Sequence, residues 1–465
     1  MSFSDMQKTP VIVIFDIGKT NKKILIFNEQ YQLVFEQNEQ FNEIADEDGF
    51  ACEDVQALSE WIKKSFTSLL KKEKFQIKAV NFSAYGASFV YIDETGNTIA
   101  PLYNYLKPFP KGLQQKFYQT YGGEILFSQQ TASPVLGNLN SGMQLYFLKN
   151  EKHELFKKVA KALHLPQYLS YLLTNIPATD ITSIGCHTGL WDFKKHQYHH
   201  WVRAEKIVNC FAPILPSSTA ILFKFNNENY ISGIGLHDSS AALIPYLSTF
   251  KSPFILLSTG TWCISLNPFN NSALTAEELH QDCLCYLSYQ GKSIKASRLF
   301  AGYQHEQLIK ILAVYFNKPI NYFETVIFNA AIKCSQVKEG FDNSYISLSS
   351  QVQLSIFSKR SLEEFDTYEM AYHQLIFDIV QQQIISTNLV LQGTLVKRIF
   401  VDGGFSKNEL FMNMLAASFL NVEIFSAIVA QASALGAAMV LHPHWNSKPL
   451  PESIIRLKPY SKKND

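Results

Sequence analysis

The chain has 465 residues, 47% of them hydrophobic and 17% charged, with a formal net charge of +1. That length exceeds one ordinary core and predicts two or three domains, while the apolar content excludes a disordered chain. The balanced charge supplies neither a basic stripe for nucleic acid nor an anionic face for a cationic partner.

Residues Met1–Pro10 lack the charged-then-apolar pattern of a leader. No apolar run reaches the ~20 residues of a membrane span. The seven cysteines (52, 186, 210, 263, 283, 285 and 334) are scattered. Only Cys283-Leu-Cys285 is close-set, and it lacks a second pair to complete a zinc cage. The expectation is a cytoplasmic protein with reduced, buried thiols and no membrane or nucleic-acid partner.

In chain order, Val11–Phe15, Lys23–Phe27 and Gln32–Phe35 read as hairpin-linked strands. Asp54–Leu70 has helical spacing, with Leu58, Trp61, Ile62, Phe66 and Leu69 on one stripe. A short buried strand follows at Ala79–Phe82, and Phe89 begins another that runs into a turn at Gly96-Asn97. Residues 145–173 read as helical, ending at Pro177–Ser183. Ile231–Ile234 is a short strand leading to Gly235-Leu-His-Asp238, where a helix starts.

Lys251-Ser-Pro253 is the best linker candidate. Leu362–Val390 is one extended helix or a broken pair. Strand Arg398–Val401 feeds Asp402-Gly403-Gly404 and the helix Glu409–Phe419. Strand Val422–Phe425 and helix Ala432–Val440 close the chain. Mixed hairpin and β-α order in both halves argues for α/β lobes. Neither half carries G-x-G-x-x-G after its first strand, which disfavours a plain dinucleotide-binding fold.

Four places carry residues suited to chemistry. The first is the hairpin turn Asp16-Ile-Gly18-Lys19-Thr20-Asn21. A carboxylate ending a buried strand suits a water-mediated magnesium ligand, Gly18 permits close backbone approach, and Lys19, Lys22 or Lys23 can offset phosphate charge. Its blander reading is ordinary turn geometry.

The second is an echo of that turn, Ser258-Thr259-Gly260-Thr261, with Gly260 placed 242 residues after Gly18. Its hydroxyls and amides can hold a phosphate where no P-loop exists, or simply make a tight turn. Asp238, third, is either a helix cap or a general base for an attacking hydroxyl. Fourth, Gly403-Gly404 between strand and helix lets a flat ring lie on the backbone, with Asn408 to bond the ring or a phosphate; a glycine-rich turn is the alternative. The remaining histidines show no metal spacing, and Gly86-Ala-Ser88 lacks the second glycine of a nucleophile elbow.

Taken in order, these elements resemble the FGGY carbohydrate kinases, a branch of the actin/Hsp70/hexokinase-like superfamily, over roughly Val11 to Met439. Asp16-x-Gly18-x-Thr20 looks like the family's first phosphate motif and Ser258-Thr-Gly-Thr261 like its second. Gly403-Gly404-x-x-x-Asn408 looks like its adenosine motif, and Ala432-Ser-Ala-Leu-Gly436-Ala-Ala438 like its late small-residue helix. Gly235-x-x-Asp238 falls where the family keeps its catalytic base.

The resemblance implies an α/β fold of two ribonuclease-H-like (actin-like ATPase) lobes with a central cleft. Residues 1–250 would form the sugar-binding lobe and 251–465 the nucleotide-binding lobe. It implies ATP and Mg2+ as cofactors, with Asp16 organising the metal through water, and a small sugar as substrate; it leaves room for a homodimer. Asp16, Gly18, Lys19, Thr20, Asn21, Thr259, Gly260, Thr261, Gly403, Gly404 and Asn408 would contact ATP. Tyr85, Gly86, Ala87, His237 and Asp238 would face the sugar.

One departure bears on the phosphate contacts and two on the substrate. Lys19 stands where many members carry Thr or Ser. Tyr85 stands where xylulose kinases usually have His, and Leu102–Lys107 lacks the Asp and Arg of many relatives. His237-Asp238-Ser239 is closer to the His-Asp-Thr of kinases acting on the 6-deoxy ketoses L-rhamnulose and L-fuculose. An actin- or Hsp70-like ATPase without a sugar substrate, and a catalytically silent sugar sensor, are the competing readings.

Overall fold

Val11–Phe15 is a run of five apolar residues, each with 0% of its surface exposed. Such a run belongs to a strand covered on both faces, and Thr9–Ile17 is that strand. It pairs antiparallel with Lys22–Asn28 across the turn and parallel with Phe75–Ala84. The computed structural model describes residues 8–336, 355–429, 431–452 and 454–460; residues 1–7, most of the stretch read for a leader, lie outside the described residues. The chain divides into two units, one of 1–249, 285–293 and 430–454, the other of 250–284, 294–429 and 455–465.

The first unit's sheet runs in the order Ala220–Phe225, Glu228–Gly233, Phe75–Ala84, Thr9–Ile17, Lys22–Asn28, Leu33–Glu39. The two-residue strand Leu236–His237 adds to Phe75–Ala84 in parallel. Helix Val55–Leu70 begins at Asp54, whose carboxylate accepts the N–H groups of Gln56 and Ala57. Its stripe of Leu58, Ile62, Phe66 and Leu69 is buried in the core with Phe15 and Phe82. Trp61 is only half-buried and meets the Phe15 ring edge-on at 5.7 Å.

The late helix Ala432–Val440 belongs to this unit and crosses Asp238–Thr249 closely. A Cβ on Gly436 would stand 1.9 Å from the Ala241 carbonyl oxygen, so only glycine lets the two backbones touch. Asn81 fastens the same region, donating to Ala437 O at 2.8 Å and accepting from the Gly235 N–H at 3.1 Å.

In the second unit the strands lie in the order Ser293–Leu299, Cys263–Asn267, Ile255–Thr259, Arg398–Gly403, Glu423–Ile428, Arg456–Tyr460. The local plan of the first unit recurs. Ile255–Thr259 pairs antiparallel with the strand after its turn and parallel with Arg398–Gly403. The echo read between Gly18 and Gly260 is therefore an echo of topology.

Three sequence expectations change. Residues 145–173 are not one helix: Ser141–Glu151 and His153–Phe156 are followed by strand Lys161–His164, and only then by helix Leu165–Thr174. Pairing with Phe89–Ile92 overrides helical spacing there, with the Phe89 ring stacked on His164 at 4.0 Å. The strand read at Ala79–Phe82 extends over Phe75–Ala84. The long helix starts at Tyr368, after the short turn Leu362–Glu364, because the Thr367 hydroxyl caps it by accepting the Met370 N–H. All seven cysteines lie among the described residues and none forms a disulfide; Cys334 alone is not buried. Among the described residues no helix is long and apolar enough to cross a membrane.

Candidate active site

Three parallel strands of the first unit, Thr9–Ile17, Phe75–Ala84 and Leu236–His237, end side by side. Their carboxyl ends deliver Asp16, Ser83, Tyr85 and Asp238 to one place, the usual location for chemistry in an open α/β sheet. Asp16 is half-buried, and its Oδ2 accepts a hydrogen bond from the Ser433 hydroxyl at 2.9 Å. Burial, then the negative charge of Asp238, push the Asp16 carboxyl up to about 6 against the opposing pull of Ser433, Ser83 and Lys23.

Asp238 opens its helix, where the macrodipole favours an anion. Burial pushes its carboxyl up to about 6 as well, opposed by the N–H and hydroxyl of Ser239. Both Ser239 groups bond Oδ1, at 2.5 and 3.1 Å, and the His237 ring lies 3.2 Å from the same oxygen. Every hydrogen bond to Asp238 among the described residues thus uses Oδ1, and Oδ2 remains open to accept a proton. A third of the Asp238 side chain is exposed, so a ligand can reach it.

His237 is buried and held down near 3 by that burial, hence neutral. Its Nε2 lies 3.2 Å from the Cys186 sulfur and its Nδ1 3.3 Å from the Ser240 hydroxyl. Gly86 packs against this group; a Cβ there would come within 2.7 Å of Cys186 Sγ and 3.1 Å of the His237 ring. Ala87 takes a left-handed backbone (φ 61°), and its carbonyl accepts from Gln144 at 2.7 Å. Tyr85 is anchored by its N–H to Ile17 O at 3.1 Å. Burial, together with the Glu53 carboxylate, holds its phenol well above the usual range.

The turn after Asp16 is closed by the Gly18 N–H to Asn21 O at 2.9 Å, with Thr20 and Asn21 exposed at its tip. Each of the three lysines has a partner within the unit. Lys22 is 3% exposed and donates to Lys19 O and Glu53, at 2.9 and 3.0 Å. Lys19 bonds Glu43 at 3.1 Å, and Lys23 donates to Gln431 at 3.2 Å.

In the second unit, Thr259 is 3% exposed, and its hydroxyl donates to Asp402 O and accepts the Phe405 N–H at 3.0 Å. Gly260 and Thr261 form the exposed tip, closed by the Gly260 N–H to Trp262 O at 2.9 Å. Helix Ala301–Tyr315 abuts that tip, since a Cβ on Gly302 would fall 1.8 Å from Gly260 O. Gly403 has φ 87° and sits against Thr259, whereas Gly404 is open. Asn408 is a helix cap: its Oδ1 accepts the Phe411 N–H at 3.0 Å and its Nδ2 donates to the Tyr372 hydroxyl at 2.8 Å.

Asp16, Tyr85, Gly86, Ala87, His237 and Asp238 are therefore gathered in one unit, and Thr259, Gly260, Thr261, Gly403, Gly404 and Asn408 in the other. Sequence reasoning missed Glu53, Cys186 and Ser433, which reach the first group only through long-range packing. Among the described residues no group of three His, Cys, Asp or Glu side chains could hold a metal unaided. The Asp16 carboxylate is a hard oxygen donor, suited to an Mg2+ whose other ligands are water and phosphate oxygens.

Solved structures share this architecture. The xylulose kinase from Rhodospirillum rubrum superposes with a TM-score of 0.75 at 13% identity, covering 98% of this chain and 94% of that one. The ligand-bound xylulose kinase from Lactobacillus acidophilus gives 0.74 at 17%, covering 97% and 93%. The fold is the two-lobed α/β fold of the actin-like ATPases.

Residues 11–239 match the N-terminal domain of the FGGY family of carbohydrate kinases. The chain carries that family's N-terminal domain over just under half of its length. Among its relatives, a rhamnulokinase of Yersinia pestis is 24% identical over 271 residues, covering 54% of this chain and 53% of that protein. That match spans about half the relative's length. A rhamnulokinase of Oceanobacillus iheyensis is 19% identical over 445 residues, covering 91% of each.

Proposed function

We propose that this protein is an ATP-dependent kinase that transfers the γ-phosphate to a hydroxyl of a small sugar. The acceptor is a ketose, with 6-deoxy ketoses such as L-rhamnulose or L-fuculose favoured over xylulose. The observation that carries the reading is the carboxylate pair Asp16 and Asp238 at neighbouring strand ends, Asp16 raised by burial and by the Asp238 charge, Asp238 by burial. Carboxyls raised in this way are a feature of proton-transfer sites.

In this reading Asp238 is the base. Its Oδ2 takes the proton of the sugar hydroxyl while Oδ1 stays fixed by Ser239. Asp16 holds magnesium through water, steadied by Ser433. ATP with Mg2+ supplies the transferable phosphoryl group and the charge neutralisation that such transfer needs. Gly260 and Thr261 present the exposed tip for the terminal phosphates, and Gly404 an open backbone for the adenosine. Tyr85, Gly86, Ala87 and His237 border the acceptor. The unit of 1–249, 285–293 and 430–454 acts as the sugar lobe and the unit of 250–284, 294–429 and 455–465 as the nucleotide lobe, in the cytoplasm.

The rhamnulokinase relatives and the His237-Asp238-Ser239 triplet favour the 6-deoxy ketoses. A coupled ADP-release assay over ketoses, aldoses and polyols tests this. ATP hydrolysis indifferent to every sugar would instead support the ATPase reading, and no turnover at all the sensor. Asp238→Asn is expected to lower sugar-dependent turnover by ~10²–10⁴ with ATP affinity retained. Near-normal turnover would remove Asp238 from the mechanism.

A further inference from the structure

Glu53 follows the two-residue strand Ala51–Cys52 and makes an isolated backbone bridge to Leu102. Only 5% of its surface is exposed. Its Oε1 accepts the buried Lys22 ammonium at 3.0 Å, and the Lys19 ammonium lies 3.7 Å away. Its Oε2 is buried and has no hydrogen-bond partner among the described residues. An orphaned buried carboxylate oxygen is costly, and native proteins seldom keep one without a use.

The surroundings say what the use is. The Tyr85 phenol is within weak hydrogen-bonding reach of the Glu53 carboxylate, which raises it, but makes no full hydrogen bond to Oε2. Tyr85 is tied to the strand that carries Asp16, through its N–H to Ile17 O. The Tyr85 and Tyr105 rings meet edge-on with centroids 6.1 Å apart. An ionised carboxylate oxygen accepts and does not donate, so its partner must be an N–H or O–H donor, which in a neutral sugar is a hydroxyl. Aromatic rings beside it suit the C–H face of a sugar.

We infer that Glu53 Oε2 is a sugar-hydroxyl acceptor, making Glu53 a specificity-determining residue for a neutral polyhydroxy substrate and against sugar acids. The inference rests on the kinase reading above and deepens it. It also gives Lys19 a reason: its ammonium serves Glu43 and Glu53 in place of a phosphate. Lys22 has the same task from within the core, holding Oε1 and leaving Oε2 without a protein partner.

The test is steady-state kinetics on L-rhamnulose, L-fuculose, xylulose and gluconate, with thermal melting as a check on folding. Glu53→Asp keeps the charge beside Lys22 but withdraws the oxygen by one methylene. The double variant Lys22→Met/Glu53→Met removes both members of the buried pair, a replacement that cores often tolerate. The double variant should raise the KM of the preferred sugar about 10- to 100-fold, the loss of one hydrogen bond to a charged group. The ATP KM should stay unchanged, and Glu53→Asp should fall between the double variant and the wild type.

A purely structural Glu53 would lower the melting temperature or the active fraction without moving the sugar KM. That outcome, or an unchanged sugar KM in both variants, overturns the inference while leaving the kinase reading intact. Wild-type protein that phosphorylates no sugar overturns the kinase reading, and the subsite falls with it.

Discussion

The adjacent glycines 403 and 404 should answer the same substitution in opposite ways. A Cβ on Gly403 would lie 1.9 Å from Thr259 O and 2.8 Å from Thr259 C. Neither atom can withdraw cheaply. Thr259 and Gly403 are paired neighbours in the sheet, and Thr259 O also accepts the Gly404 N–H at 2.7 Å. The left-handed backbone at Gly403 adds about 1–2 kcal/mol of strain for any L-residue. Loss of the Gly404 hydrogen bond adds about 1–3 kcal/mol. Gly403→Ala is therefore expected to destabilise the second unit by about 2–5 kcal/mol.

At Gly404 the nearest atom to a Cβ is 3.9 Å away and the backbone is ordinary αR (φ −62°). Gly404→Ala should leave stability within about 0.5 kcal/mol. If the adenosine lies on that backbone, it should raise the ATP KM with the sugar KM unchanged. Urea denaturation followed by circular dichroism measures the first effect and initial rates the second. Equal stability losses at the two positions would refute the assignment of one glycine to the fold and the other to the ligand.

Other outcomes follow from the first unit. With the Asp238 carboxyl at about 6, the base is protonated below that pH, so kcat/KM for sugar should fall as pH drops through 6 and level off above it. The sign for stability is the reverse. A carboxyl raised from 3.8 binds more protons folded than unfolded between those values, so its contribution to stability is lost as pH rises through that window. Asp238→Asn should accordingly melt higher than wild type at pH 7 while inactive, and a lower melting point would contradict the burial argument. Gly86→Ala drives a methyl into Cys186 and the His237 ring, and should cut sugar turnover at least tenfold with ATP affinity kept. Combining it with Cys186→Ala should restore part of the loss, and no restoration would place the damage elsewhere.

The Asp16 hairpin was legible because an uninterrupted apolar strand, a glycine turn and a second apolar strand are local signals, and its echo at Gly260 repeats them. The Asp54 cap and the helix Ala432–Val440 were legible for the same reason. Strand Lys161–His164 was not, because its Ala-Leu between two helical runs keeps helical spacing; only Phe89–Ile92, about 70 residues earlier, makes it a strand. Glu53 stands at the end of a two-residue strand, with no periodicity to mark it. The partners of Lys19 and Lys22 were not legible either, because sequence shows a charge but not that Glu43 and Glu53 lie beside it. Thr259 was chosen for its hydroxyl, and packing directs that hydroxyl inward to Asp402 and Phe405.

The hydrogen bond from Ser433 to Asp16 joins residues 417 positions apart. Residues 285–293 and 430–454 complete a unit whose main body is residues 1–249. A chain leaving the ribosome N-terminus first therefore cannot finish its first unit when residue 249 emerges. The Gly436 crossing and the Asp16 tether must both wait for residues 430–454. Folding that depends on such distant partners is slow and leaves apolar surface exposed meanwhile. Excising residues 1–250 as a free-standing piece would strip Asp16 of its tether and the Ala241 backbone of its cover.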